Sequence, residues 1–149
     1  NLSIRNLSLS DEATVSFLPL LDGIPLRSLS IVGLTLTGEG RWIRANRTDL
    51  SSLDKLFISD VTIIDILKFA MTSELTFLLQ YQKKLSIINA KMFLLSCHLT
   101  QMMVNTEYLD VSDNLLTDLT LSYMLCDSGE TLHNLRVLNI SGNHLKVSA

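Results

Sequence analysis

Histidines and aspartates are the side chains with which this 149-residue sequence could bind a metal ion or move a proton, and their spacing serves neither purpose. His98, His133 and His144 fall in separate segments, with no H-E-x-x-H pair, no nucleophile and base arrangement, no glycine-rich phosphate loop and no cysteine–histidine metal spacing. His144 stands between Asn143 and Leu145 in a turn, His98 beside Cys97 in a loop, and both read as solvated. Asp110, Asp113 and Asp118 cluster on strand and turn positions, where carboxylates are ordinarily hydrated. The expectation is a protein with no catalytic residues, no metal and no cofactor.

Two other residue types carry covalent chemistry. Asn-x-Ser/Thr occurs at Asn1, Asn6, Asn46 and Asn139, a mild excess over chance that points to an extracellular chain with glycan acceptors. Cys97 and Cys126 form the second set. Whether they can meet depends on the elements that carry them.

Those elements repeat. One apolar spacing recurs six times: Leu2-x-Ile4-x-x-Leu7-x-Leu9, Leu29-x-Ile31-x-x-Leu34-x-Leu36, Leu56-x-Ile58-x-x-Val61-x-Ile63, Leu85-x-Ile87-x-x-Ala90-x-Met92, Leu109-x-Val111-x-x-Asn114-x-Leu116 and Leu138-x-Ile140-x-x-Asn143-x-Leu145. The leading residues lie 27, 27, 29, 24 and 29 apart, close to the period of leucine-rich repeats. The fold class expected is α/β: a leucine-rich repeat solenoid with a parallel sheet on its concave wall and irregular or helical convex loops. Within each copy Leu109 and Val111, for example, turn inward while Tyr108, Asp110 and Ser112 turn out. No single repeat covers its own apolar face, so residues 1–149 read as one array of about six repeats, without terminal caps. Cys97 and Cys126 then lie on the non-strand flank of consecutive repeats, where neighbouring turns bring Cα atoms to the ~5.5 Å a disulfide needs. Pairing is the expectation, with two free thiols the alternative.

The sixth place of the pattern divides the array. Asn114 and Asn143 can bond backbone groups where the chain leaves the strand; Leu7, Leu34, Val61 and Ala90 cannot. The array therefore divides into a ladder-poor part, 1–105, and an asparagine-ladder part, 106–149, with a change of curvature between the repeats led by Leu85 and Leu109.

Composition narrows the partners. At 47% hydrophobic and 18% charged with a net charge of −3, the chain is globular and no nucleic-acid binder. Its given residues show no run of ~18 apolar positions and no basic-then-apolar start, so neither a membrane span nor a signal peptide is expected among them. Of the connections, Ser10 to Leu21 reads as a helix capped by Ser10, with Asp11 and Glu12 in its first turn and Pro19 interrupting it. Thr37 to Ser52 is long and polar. Ile64 to Tyr81, followed by Met92, Phe93 and Leu94, holds more bulky apolar side chains than one helix face can bury. These either thicken the convex side of the core or form an apolar cavity or patch.

Lys91-Met-Phe-Leu-Leu-Ser-Cys97, Glu107-Tyr-Leu-Asp-Val-Ser-Asp-Asn114, the Cys97 to Cys126 separation, Arg5-Asn6, Ser10-Asp-Glu12 and Gly38-x-Gly40-x-Trp42 together resemble the ectodomain of Toll-like receptors across the whole chain. The resemblance implies the extracellular part of a single-pass plasma-membrane receptor of innate immunity. It implies binding of bacterial di- or triacylated lipopeptides in a convex-side apolar pocket, and heterodimer pairing with a related Toll-like receptor of type 1 or 6. Carried over by position, the pocket would be lined by Ile31, Trp42, Leu56, Ile58, Ile63, Ile66, Phe69, Met92, Phe93 and Leu94, and the partner contact by Leu67, Lys68, Phe93, Leu94, Leu115 and Thr120. Lys68, Ala70, Gln82 and Thr120 stand where the family carries aromatic or aliphatic residues, and Ser96 replaces a proline, departures that bear on pocket size and partner choice. The alternative is an extracellular leucine-rich repeat module that grips a protein partner on its concave face, although the outward positions there look small or mixed in charge.

Overall fold

The computed structural model describes residues 1–21, 24–39, 50–64, 79–126 and 131–146. Six parallel strands stack in chain order into one sheet: β1 (Leu2–Leu9), β2 (Ser28–Leu36), β3 (Lys55–Ile63), β4 (Lys84–Ile88), β5 (Tyr108–Asp110) and β6 (Val137–Asn139). The register follows the repeat. Leu2, Leu29, Leu56, Leu85, Leu109 and Leu138 are successive Cα partners, as are Ile4, Ile31, Ile58 and Ile87. Each apolar place thus becomes a column through the stack, and the columns form the core. Burial is deepest in the middle of the array, where Leu85 and Leu109 lose all exposure; Leu2 and Leu138, each with a single neighbouring repeat, keep some.

Simple alternation does not explain this core, because Ile4 and Leu7 are three residues apart and a regular strand would put them on opposite faces. The backbone resolves it. Asn6, Gly33, Asp60, Asn89, Asp113 and Gly142 occupy the fifth place of all six copies, and all six have positive φ, between 52° and 77°. One left-handed residue per repeat resets the facing, so that both halves of the motif point inward, as in a β-bulge. Only Gly, Asn and Asp adopt that conformation at low cost, and only those three types occur there. The sequence displays this rule six times, and the apolar pattern alone does not reveal it.

Helices cover part of the other side. Ser10 caps α1 (Asp11–Phe17), its Oγ accepting from the Ala13 N–H at 3.1 Å, and Pro19 sits in a 3-10 turn over Leu18–Leu21, as the sequence implies. α2 (Cys97–Met102) and α3 (Asp118–Leu125) follow β4 and β5. They are joined by a Cys97–Cys126 disulfide, Cα atoms 5.2 Å apart. No helix among the described residues is long and apolar enough to cross a membrane.

The strands shorten from 8 and 9 residues in β1–β3 to 5 in β4 and 3 in β5 and β6. This change falls one repeat before the change of residue in the sixth place.

Candidate functional site

Asn114 explains the offset. Its side chain is 2% exposed and makes five hydrogen bonds. Nδ2 donates to the carbonyls of Ile87, Val111 and Ser112 at 2.8, 2.9 and 3.1 Å. Oδ1 accepts from the N–H groups of Ala90 and Met92 at 2.9 and 3.1 Å. The amide therefore closes the turn of the preceding repeat as well as its own, and Ala90, small and buried, leaves room for it. Asn143 serves the last interval likewise, donating to Val111 and Ile140 and accepting from the Leu116 N–H.

The consequence is a clamped segment. Between the two N–H groups held by Asn114, Lys91 takes φ 52°, a left-handed conformation that costs a lysine ~1–2 kcal/mol. Met92 is fixed at its N–H by Asn114 and at its carbonyl by the Leu115 N–H, 2.8 Å away. Phe93, half-buried, and Leu94, 38% exposed, follow directly. Leu115 is 42% exposed, and Leu119 and Tyr123, four and eight residues further on, are more exposed still. A strained, hydrogen-bonded turn thus presents apolar side chains beside an exposed apolar stripe that runs along α3.

Two residues that depart from the family pattern serve local structure. Ser96 caps α2, its Oγ accepting from the Leu99 N–H at 3.2 Å. Thr120 closes a capping box with Thr117, whose N–H it accepts at 2.8 Å. Buried Thr100 ties the two helices together by donating to the Met124 carbonyl at 2.7 Å. Gln82 is fully buried.

Of the residues expected to line a lipid pocket, Ile31, Leu56 and Ile58 are buried in the core columns, Ile63, Met92 and Phe93 are half-buried, and Leu94 is exposed. Of those expected at the partner contact, Leu115 is exposed and Thr120 half-buried. The Met92–Leu115 hydrogen bond brings the two sets together. Trp42, Ile66, Leu67, Lys68, Phe69 and the acceptor Asn46 lie outside the described residues, as do Ala70 and Gly40.

One expectation about the open face needs correction. Asp110 and Ser112 do not stand out in solvent: both are 7% exposed. Asp110 Oδ1 accepts from the Ser112 N–H at 3.0 Å and Oδ2 from the Tyr108 hydroxyl at 3.3 Å, so the carboxylate folds onto its own strand end. Its charge, then burial, then that hydrogen bond hold the Tyr108 pKa above its ordinary value. Asn139, one repeat on, repeats the motif with Ser141 and is half-buried. The three histidines are exposed, and no group of three or more His, Cys, Asp or Glu among the described residues could hold a metal ion.

Six in-register strands, a left-handed residue at the fifth place of each repeat and an asparagine ladder define a leucine-rich repeat solenoid. No family model matches the chain. Its relationship is to Toll-like receptor 2: it is 32% identical over 148 residues to Toll-like receptor 2 type-2 of Gallus gallus, covering 97% of this chain and 18% of that protein. Toll-like receptor 2 of Homo sapiens is 29% identical over 147 residues and that of Mus musculus 29% over 149, covering 96% and 97% of this chain and 18% and 19% of those receptors. The chain thus aligns with a segment of these receptors and spans about a fifth of the length of the curated relatives it matches.

Proposed function

We propose that this chain is the ligand-binding segment of an innate immune receptor ectodomain. It takes the acyl chains of a bacterial lipopeptide at the Met92–Leu94 turn and pairs there with a related receptor. The observation that carries the reading is the clamp: Asn114 holds the Met92 N–H and Leu115 the Met92 carbonyl, while Phe93 stays half-buried and Leu94 exposed. A turn fixed by a neighbouring repeat is pre-organised, which lowers the cost of binding. Apolar residues left beside it at Leu115, Leu119 and Tyr123 supply a surface for a second protein. Each buried methylene of an acyl chain contributes ~0.8 kcal/mol, so a few carbons suffice to offset ordering of the turn.

The test is titration of the full chain with a diacylated lipopeptide. Phe93→Glu places an unpaired carboxylate against the acyl chains and should weaken binding by about a hundredfold or more, whereas Tyr108→Ala on the open face of the sheet should leave it unchanged. Loss of binding in a folded Tyr108→Ala variant together with retention in Phe93→Glu would transfer the site to the other face.

A further inference from the structure

The open face of the sheet carries its own site. Strand alternation turns Lys55 and Phe57 of β3, Lys84 of β4 and Tyr108 of β5 to the same side, opposite the buried Leu56, Leu85 and Leu109. The register then makes neighbours of residues that the sequence keeps apart: Lys55 is the Cα partner of Lys84, and Lys84 of Tyr108. Phe57, 37% exposed, lies two residues along from Lys55 on the same face. The result is two lysines on adjacent strands, with Tyr108 next to Lys84 on one side and Phe57 beside Lys55 along β3.

The lysine pair is electrostatically unfavourable in the free protein, because like charges directly across a strand pair repel. Among the described residues, Asp110, diagonal to Lys84 across the β4–β5 pair, offsets one of the two charges only in part. The one ion pair among the described residues joins Arg27 to Asp54 at 3.5 Å. The carboxylate nearest Tyr108 along its own strand, Asp110, is engaged with the Tyr108 hydroxyl and the Ser112 N–H. Both lysines are exposed in a chain whose net charge is −3. The backbone beneath them is fixed: the Asp54 carbonyl accepts from both the Lys83 and Lys84 N–H groups, at 2.8 and 3.0 Å, and the Lys83 carbonyl from those of Glu107 and Tyr108.

We propose that this patch binds an anionic carbohydrate, a sulfated oligosaccharide whose sulfate group bridges Lys55 and Lys84 while a sugar ring lies against Phe57. The chemistry favours a glycan over an acidic polypeptide. The cations are lysines, point charges suited to a sulfate oxygen, and arginine, whose planar fork matches a peptide carboxylate, is missing from the patch. Ser30 and Ser86, the register partners of Phe57, and Ser28, that of Lys55, carry small hydroxylated side chains, and among the described residues of the patch no second large apolar side chain joins Phe57 to build a protein hot spot. The site is independent of the Met92–Leu94 turn and does not rest on the lipopeptide reading.

The test uses the full chain and a size-defined heparin octasaccharide at physiological ionic strength. Lys55→Ser/Lys84→Ser should weaken binding by about tenfold or more and Phe57→Ser by about threefold, with Lys146→Ser unchanged. The desulfated octasaccharide should lose binding. Hydrogen exchange on the unmodified protein should show oligosaccharide-dependent protection in β3–β5, which locates the site without a variant. Equal loss in Lys146→Ser, unchanged binding in the double variant, protection elsewhere, or a polyglutamate peptide that binds as tightly at the same patch would each overturn the proposal, the last in favour of an acidic protein partner.

Discussion

In the first three repeats the chain runs on as strand past the sixth place of the motif, pairing Leu7 with Leu34 and Leu34 with Val61; in the last two it turns away there, and a carboxamide takes over. Both arrangements satisfy backbone groups that the core would otherwise bury unpaired. Long strands satisfy them with the neighbouring strand, so an apolar side chain serves in that place and enters the core. Short strands leave N–H and carbonyl groups converging on one point, which only a side chain with donors and an acceptor can fill. The fourth repeat is the hinge between the two. It turns away like the last two but has Ala90 in the sixth place, and it borrows Asn114 from its neighbour. The junction between the two closures thus depends on one shared residue.

The largest effect should come from removing that shared residue. Asn114→Leu would leave the Ala90 and Met92 N–H groups without this acceptor and the Ile87 carbonyl without this donor, while the Val111 and Ser112 carbonyls keep Asn143 Nδ2 and the Asn89 N–H; at ~1–3 kcal/mol for each group that stays dry, a loss of about 4 kcal/mol is expected after relaxation. The reverse exchange, Leu34→Asn, should also destabilise, by about 2–5 kcal/mol, because it buries an amide among groups already paired and deletes a core side chain. Denaturant melts of the full chain check both. If Asn is tolerated at position 34, the two closures are interchangeable and strand length has another cause.

The disulfide should rank next and belongs to the same comparison, since it joins α2 to α3 across the repeats that lack long strands. Removing a cross-link that closes a loop of about 30 residues costs on the order of 3 kcal/mol. Cys97→Ser/Cys126→Ser should lower the melting temperature and raise hydrogen exchange first in α2 and α3, leaving β1–β3 protected. Uniform loss of protection across all six strands would show that the two parts do not differ in this respect.

Much of this was legible in the sequence. The columns of leucine and isoleucine, the cysteine pair, the Ser10 cap and the role of Asn114 and Asn143 all follow from residue type at fixed spacing. What was not legible has physical reasons. That Asn114 also serves the repeat before it depends on Ala90 being small enough to admit the amide, a packing relation between repeats. The burial of Asp110 depends on Ser112 and Tyr108 turning their donors toward it, which alternation does not convey. The adjacency of Lys55, Lys84 and Tyr108 exists only once the register is known. Residues 40–49 and 65–78 of the long connections, which hold most of the apolar excess after Ile64, lie outside the described residues.

The smallest effect concerns Asp110 and Asn139, register partners that hold the same turn with and without a charge. In β5 the carboxylate holds the Tyr108 pKa above the ordinary value, first through its charge. A phenol whose pKa is higher folded than unfolded favours the folded state, relative to alkaline conditions, at every pH below its unfolded value of ~10, and that advantage is lost as pH rises through the folded value. Asp110→Asn keeps an acceptor for the Ser112 N–H, as Asn139 does for Ser141, but removes the charge. Absorbance titration of the folded chain, with Tyr108→Phe subtracted to isolate this phenol, should therefore show the Asp110→Asn curve displaced to lower pH. The variant should also lose less stability than the parent as pH rises above about 10. Unmoved titration would mean that Tyr108 feels burial rather than its neighbour, and that the charged and neutral versions of this turn are electrostatically equivalent.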